Sequence, residues 1–245
     1  MIKKFKISIL GTGNIAKNFH IPAWLKNNNC NIVGLCDKNK KKLVQVKNFF
    51  KVKKYFTNYL LMLKKIDFDI INICTPPYLH FKNIILSIKF NKNILVEKPF
   101  VTSLKDLLII KNKIKNKKIL IKCAYHQRYR PISLKIKDTI AKGHIGKVYY
   151  INIIHRKFRS IPVQSNYFSL KKYSGGGPLI DLGTHYFDLI AWIFNFPMIR
   201  NISCKCSSYI FKKNKKYLPF KKFNNEELAV GQINFKNKIL LNFEF

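Results

Sequence analysis

The segment that most restricts the fold is KFKISILGTGNIAKNFH, residues 4–20. A short apolar run at 5–10 passes into Gly11-Thr12-Gly13 and then into a stretch with helical apolar spacing at Ile15, Ala16 and Phe19. The pattern G-x-G-x-x-A is common by itself. Its context here, a strand before and a helix after, is that of a dinucleotide-binding βαβ unit. Gly11 permits the tight turn and Gly13 lets the backbone approach a pyrophosphate. Asn14 and Ile15 open the helix, whose first N–H groups face that anion.

A second strand is expected at 31–36, ending at Asp37, 21 residues beyond Ala16. A carboxylate there accepts hydrogen bonds from an adenosine ribose and repels a 2′-phosphate, which favours NAD. Lys38, Lys40, Lys41 and Lys42 follow directly and leave NADP open. The plain alternative is a structural βα turn with a capping Asp.

The alternation continues. A strand at 68–74 ends in Thr75-Pro76-Pro77, with a helix from about His80; another at 93–96 ends in Glu97-Lys98-Pro99, with a helix after Ser103. Strand and helix alternating at this spacing give a doubly wound parallel sheet, an α/β fold. Ligands of such sheets lie beyond the carboxyl ends of the strands. Residues 11–13, Asp37, Thr75, Pro76, Glu97 and Lys98 all fall at those ends. Lys98 reads equally as a surface lysine, although Pro99 restricts it to extended geometry. His80 reads as a polar residue in the first turn of a helix.

Composition sets the outer limits. With 245 residues and 47% apolar content the chain can bury a real core, in one large domain or two modest ones. The basic residues, 47 against 11 acidic, give a formal charge of +36. Only five are Arg, the side chain best suited to phosphate and base recognition, and the lysines are spread along the whole chain. Solvated lysine faces are therefore expected, with weak salt-sensitive adhesion to polyanions but no specific nucleic-acid partner. No secretory leader is expected, since the apolar run 7–10 stops at Gly11. The longest uncharged run in the second half, 189–199, has eleven residues where about twenty are needed to span a membrane. The six cysteines form no CxxC pair and read as reduced core thiols of a cytoplasmic protein. No metal site is expected, because Cys204 and Cys206 lack companion ligands.

From Cys123 the character changes. AYHQRYRP (124–131) is polar and aromatic, and 133–153 reads as a helix, a turn and a long strand. Residues 175–189, GGGPLIDLGTHYFDL, follow. Pro178 suits a first helical position. Asp181 and His185 are then one turn apart on one face, with Asp188 three further on, placed to orient the imidazole. A buried structural His–Asp pair is the alternative. Strand-like runs at 199–211 and 228–245, split by a basic loop, indicate a second α+β domain on a mostly antiparallel sheet. The expected domains are 1–123, a Rossmann unit, and 124–245, a substrate and catalytic unit.

GTGNIA, TPPYLH, VEKP, AYHQRYRP, GHIGKVYYINI and GGGPLIDLGTHYFDL, in this order, resemble the Gfo/Idh/MocA family of nicotinamide-dependent oxidoreductases. The likeness runs from about residue 5 to the C-terminus. E-K-P combined with GGG-x-x-x-D-x-G-x-H-x-x-D is its specific part. The resemblance implies hydride transfer between NAD (or NADP) and a secondary alcohol of a sugar, cyclitol or nucleotide-linked sugar. It also implies that Lys98, Asp181 and His185 form the catalytic group, with cofactor contacts from residues 11–15, Asp37, Thr75, Pro76 and Glu97. Arg128 resembles the family's arginine near the substrate mouth, and Tyr125, Arg156 and Arg159 are further candidate substrate contacts. Against the family the chain is short. It ends at LLNFEF inside the second domain's sheet, the face through which self-association is expected. A non-catalytic dinucleotide sensor, or a relative that uses NAD as a bound redox shuttle for hydrolysis or elimination, would share the same motifs.

Overall fold

The computed structural model describes residues 4–156, 168–209 and 223–245. Arg159, a candidate substrate contact, lies outside them, as do residues 210–222, which hold most of the basic segment expected between the runs 199–211 and 228–245. The chain divides into two compact units, Met1–Ala124 and Tyr125–Phe245.

In the first unit six strands alternate with helices: β1 Phe5–Leu10, β2 Cys30–Cys36, β3 Tyr55–Phe56, β4 Ile70–Ile73, β5 Asn93–Val96 and β6 Ile121–Cys123. The helices between them are α1 Ile21–Lys26, α2 Lys40–Phe49, α3 Tyr59–Lys65, α4 His80–Lys89 and α5 Leu104–Ile114. The strands form one sheet in the order β3-β2-β1-β4-β5-β6, with every pairing parallel. The order reverses at β1, so the turns after β1 and β4 open into the switch-point crevice. Ile7 and Ile9 on β1, Ile71 and Ile73 on β4 and Val96 on β5 are fully buried between the helix layers. That is why these runs read as near-continuous apolar segments. The helices start where side chains can cap them. Asn39, Asn58 and Ser103 each accept the backbone N–H three residues on.

The second unit carries α6 Pro131–Ala141, β7 Tyr150–Ile154, α7 Lys171–Ser174, α8 Thr184–Ile193, β8 Ile199–Ser207, β9 Leu228–Phe235 and β10 Leu240–Glu244. Its sheet runs β7-β10-β9-β8, antiparallel except for the β10–β7 pair. The run expected at 228–245 is two strands, folded back where Lys238 takes a positive φ of 68°. Phe243 and Phe245 stack against each other beneath Phe187 of α8, which fixes that helix on the sheet.

One local feature departs from expectation in both units. The helix after the glycine turn begins with a π-helical stretch, Ala16–His20, and the helix after the triple glycine does the same over Leu179–Gly183. Asp181 therefore sits in a widened turn, and its spacing to His185 is not that of an ideal α-helix.

Candidate active site

Gly11 ends β1 with φ +93°, and a Cβ there would lie 2.7 Å from the Cys74 carbonyl oxygen, so no other residue fits this turn. Gly13, Asn14 and Ile15 are exposed, and a Cβ on Gly13 would meet nothing within 4 Å. The result is an open shelf of backbone at a helix start, the surface a pyrophosphate needs. Asp37 is fixed beside it. Its Oδ2 accepts the Thr12 N–H at 2.7 Å and the Thr12 hydroxyl at 3.1 Å, and its Oδ1 accepts the Asn39 N–H at 2.9 Å. These bonds hold the carboxylate at the β2 end while leaving lone pairs for ribose hydroxyls. The four lysines that follow, Lys38, Lys40, Lys41 and Lys42, are exposed.

The next two turns are built as firmly. The Thr75 hydroxyl accepts from Asn83 at 3.1 Å, and Pro76 adopts the extended backbone that precedes a short 3₁₀ turn, Pro77–Leu79. The Glu97 carboxylate contacts His20 Nε2 at 2.7 Å through one oxygen, and through the other accepts the Lys98 N–H at 3.1 Å. Burial pushes the Glu97 carboxyl up, but the His20 bond, its charge and the Lys98 N–H outweigh it and hold Glu97 below the usual carboxylate range. Lys98 is half-buried and joined to the buried Pro99 by a cis peptide bond. His80, expected as a polar residue at a helix start, does begin α4 but is completely buried, with ring nitrogens against the Thr75 and Pro99 carbonyls. His20 was not singled out by the sequence reading; the only available signal was a histidine closing the first motif helix.

In the second unit the triple glycine is dictated by crowding. A Cβ on Gly177 would sit 2.0 Å from the Glu226 carbonyl oxygen. The helix starts at Pro178 and carries Asp181 and His185, both half-buried. The His185 ring meets His126 edge-on at 4.9 Å between centroids and Tyr125 at 6.4 Å. Residues 125 and 126, from the polar-aromatic stretch, therefore wall the candidate base. Asp188 does not orient the imidazole as expected. Its carboxylate is gripped by Arg128, through Nε at 2.6 Å and a second contact from Nη2. The same guanidinium lies over Phe196, 5.5 Å from the ring centroid. Arg128, which the family resemblance puts near the substrate mouth, thus also pins the 126–129 turn to α8. Arg156, the other candidate substrate contact, is exposed and paired to Glu244 on β10. Among the described residues no group of three potential metal ligands comes together.

These features define a dinucleotide-binding α/β fold followed by an α+β unit. Residues 5–125 match the model described as "Oxidoreductase family, NAD-binding Rossmann fold", and residues 133–245 match the "GFO/IDH/MocA C-terminal domain". The chain belongs to the Gfo/Idh/MocA oxidoreductase family. Among its curated relatives, an oxidoreductase of Formosa agariphila is 27% identical over 210 residues, covering 84% of this chain and 65% of the relative. Glucose-6-phosphate 3-dehydrogenase of Bacillus subtilis is 24% identical over 244 residues, covering 97% and 66%. In fold it is similar to myo-inositol 2-dehydrogenase of Lactobacillus plantarum, with a TM-score of 0.85 at 20% identity, covering 99% of this chain and 69% of that one. The chain thus spans about two thirds of the length of these proteins.

Proposed function

We propose that this protein is an NAD(P)-dependent oxidoreductase, with NAD preferred, acting on a secondary alcohol of a sugar, cyclitol or nucleotide-linked sugar. The observation that carries this reading is the common placement of residues 11–13, Asp37, Thr75, Pro76, Glu97 and Lys98 at the carboxyl ends of four neighbouring parallel strands. Two relatives named for dehydrogenation of a sugar phosphate and of an inositol support a cyclic polyol as substrate.

Bound nicotinamide would supply the hydride acceptor. The chain's own residues handle the proton and the charge. His185 takes the hydroxyl proton in oxidation and returns it in reduction, a task suited to imidazole near neutral pH. Lys98 hydrogen-bonds the reacting oxygen and stabilises negative charge developing on it. Asp181 positions the substrate or balances Lys98, and Tyr125 borders the sugar. Leu228 and Val230 are exposed on one face of the second sheet, and self-association through that face is part of this reading. A cytoplasmic setting accompanies this reading, and no described helix is long and apolar enough to cross a membrane.

The test is a turnover assay with NAD or NADP against a panel of sugars, cyclitols and nucleotide sugars. Steady-state formation of reduced nicotinamide with a secondary alcohol is the expected result. Sugar cleavage without net reduction, or tight coenzyme binding without any turnover, would overturn the dehydrogenase assignment.

A further inference from the structure

His80 is 0% exposed, yet both of its ring nitrogens face oxygen. Nε2 lies 2.7 Å from the Thr75 carbonyl and Nδ1 lies 2.8 Å from the Pro99 carbonyl. A carbonyl cannot donate. Each contact is therefore a hydrogen bond only while the facing nitrogen carries a proton, and a neutral imidazole has one proton for two nitrogens. The geometry is that of a doubly protonated ring. Burying such a group is costly unless both bonds are made. An apolar residue in the same space would need neither. The two carbonyls belong to the turns after β4 and β5, the same turns that present Thr75, Pro76, Glu97 and Lys98.

We propose that His80 is a positioning residue that donates from both ring nitrogens to lock the Thr75–Pro76 turn to the Lys98–Pro99 turn, giving coenzyme binding a proton-dependent contribution. The inference rests on the oxidoreductase reading above. The titratable groups on the segments packed against His80 are Cys74 before Thr75, Tyr78 in the turn before the ring, Glu97 and Lys98 before Pro99, and Lys82 and Lys89 on its own helix. Burial acts most strongly on the ring and lowers its hold on the second proton, while the two carbonyls and the Glu97 charge oppose that loss. With the ring charged, both turns are tied. As pH rises through a value below the ordinary histidine range, one bond is lost and the spacing between the turns relaxes. Coenzyme affinity should then fall with rising pH, the opposite of what deprotonating the candidate base His185 would do for turnover.

The experiment is calorimetric titration of the full chain with NAD+ between pH 5 and 8, on wild type, His80→Gln and His80→Phe. One lost hydrogen bond predicts a wild-type Kd about fivefold weaker at pH 8 than at pH 5. His80→Gln should bind weakly and without pH dependence, and His80→Phe more weakly still, while both keep a cooperative melting transition. A general loss of structure would remove that transition. Two-bond proton–nitrogen spectra of histidine-labelled wild type read the ring directly if a variant fails to fold: both nitrogens protonated at pH 5 and one at pH 8. A pH-independent wild-type Kd matched by His80→Gln, or a ring singly protonated throughout, would overturn the inference alone. No NAD+ binding at any pH would overturn the oxidoreductase reading, and this inference with it.

Discussion

The Asp188 carboxylate is held by the Arg128 guanidinium in a two-point grip, with the carboxylate side chain 10% exposed and the guanidinium 24%. The pair fastens the turn bearing Tyr125 and His126 to the helix bearing His185. Removing one partner leaves the other half-buried and unpaired. Asp188→Ala should therefore cost about 1–3 kcal/mol of stability, measured by denaturant unfolding. Arg128→Lys, which keeps the charge but loses the fork, should lower kcat more than it lowers Tm. Equal behaviour of Arg128→Lys and wild type in both assays would show that the fork has no positioning role.

His185→Ala should reduce kcat by roughly 10²- to 10⁴-fold, the usual worth of a positioned acid–base group, while leaving NAD affinity near wild type. Stopped-flow and equilibrium coenzyme titration separate the two quantities. Because Lys98, Asp181 and His185 are proposed to act as a unit, adding Lys98→Ala to His185→Ala should cost much less than the product of the single effects.

Asp37 is the residue proposed to set the choice of coenzyme. Its carboxylate is fixed by Thr12 and Asn39 at the end of β2 and followed by exposed lysines. Asp37→Ser should weaken NAD and improve NADP, shifting the ratio of kcat/KM values toward NADP by about tenfold or more. An unchanged ratio would place the adenosine ribose elsewhere.

Glu97 should shape the acid limb of stability. Its folded-state carboxyl sits below the usual range, because the His20 bond, its charge and the Lys98 N–H outweigh the upward push of burial. A depressed carboxylate contributes stability that is present above its unfolded value and lost as pH falls through the folded one. Denaturation midpoints measured from pH 7 down to pH 3 should thus fall more steeply in wild type than in Glu97→Gln. The variant should also be less stable at pH 7 by about 1–2 kcal/mol.

Gly177→Ala would drive a methyl group into the Glu226 backbone, which has no flexible end to swing aside. The expected loss is about 2–3 kcal/mol, at the upper end of overpacking. Gly13→Ala faces open space in the protein itself. It should leave Tm nearly unchanged and weaken coenzyme binding, so the two glycines are separable by pairing a melting curve with a titration.

Four of the six strands of the first sheet were legible because period and burial agree, while β3 and β6, two and three residues long, are too short to show a period. The runs that form β1 and β5 announce themselves as unbroken apolar segments ending in turn residues, and Ser103 marks the start of α5; the caps at Asn39 and Asn58 were not read. The two π-helical stretches were not legible, since a single extra residue per turn leaves no mark on hydrophobic spacing. The partner of Asp188 was hidden for a different reason. Local spacing suggested His185, three residues away, but the stronger charge-assisted bond comes from Arg128, sixty residues earlier. His80 showed the same limit: sequence placed it at a helix start, and only the carbonyls brought together by β4 and β5 reveal what the ring does.

The distribution of thiols gives a practical handle. Cys36 and Cys74 are buried on the nucleotide side, where burial pushes the first up to about 12 and the second well above the ordinary thiol range. Cys204 and Cys206, expected in a core, instead lie exposed on the edge strand β8, while Cys30 and Cys123 are half-buried in the first unit. Burial and the neighbouring Cys204 push Cys206 up to about 11, so a maleimide dye should react first at Cys204. This provides a fluorescent reporter in the second unit without engineering a new residue.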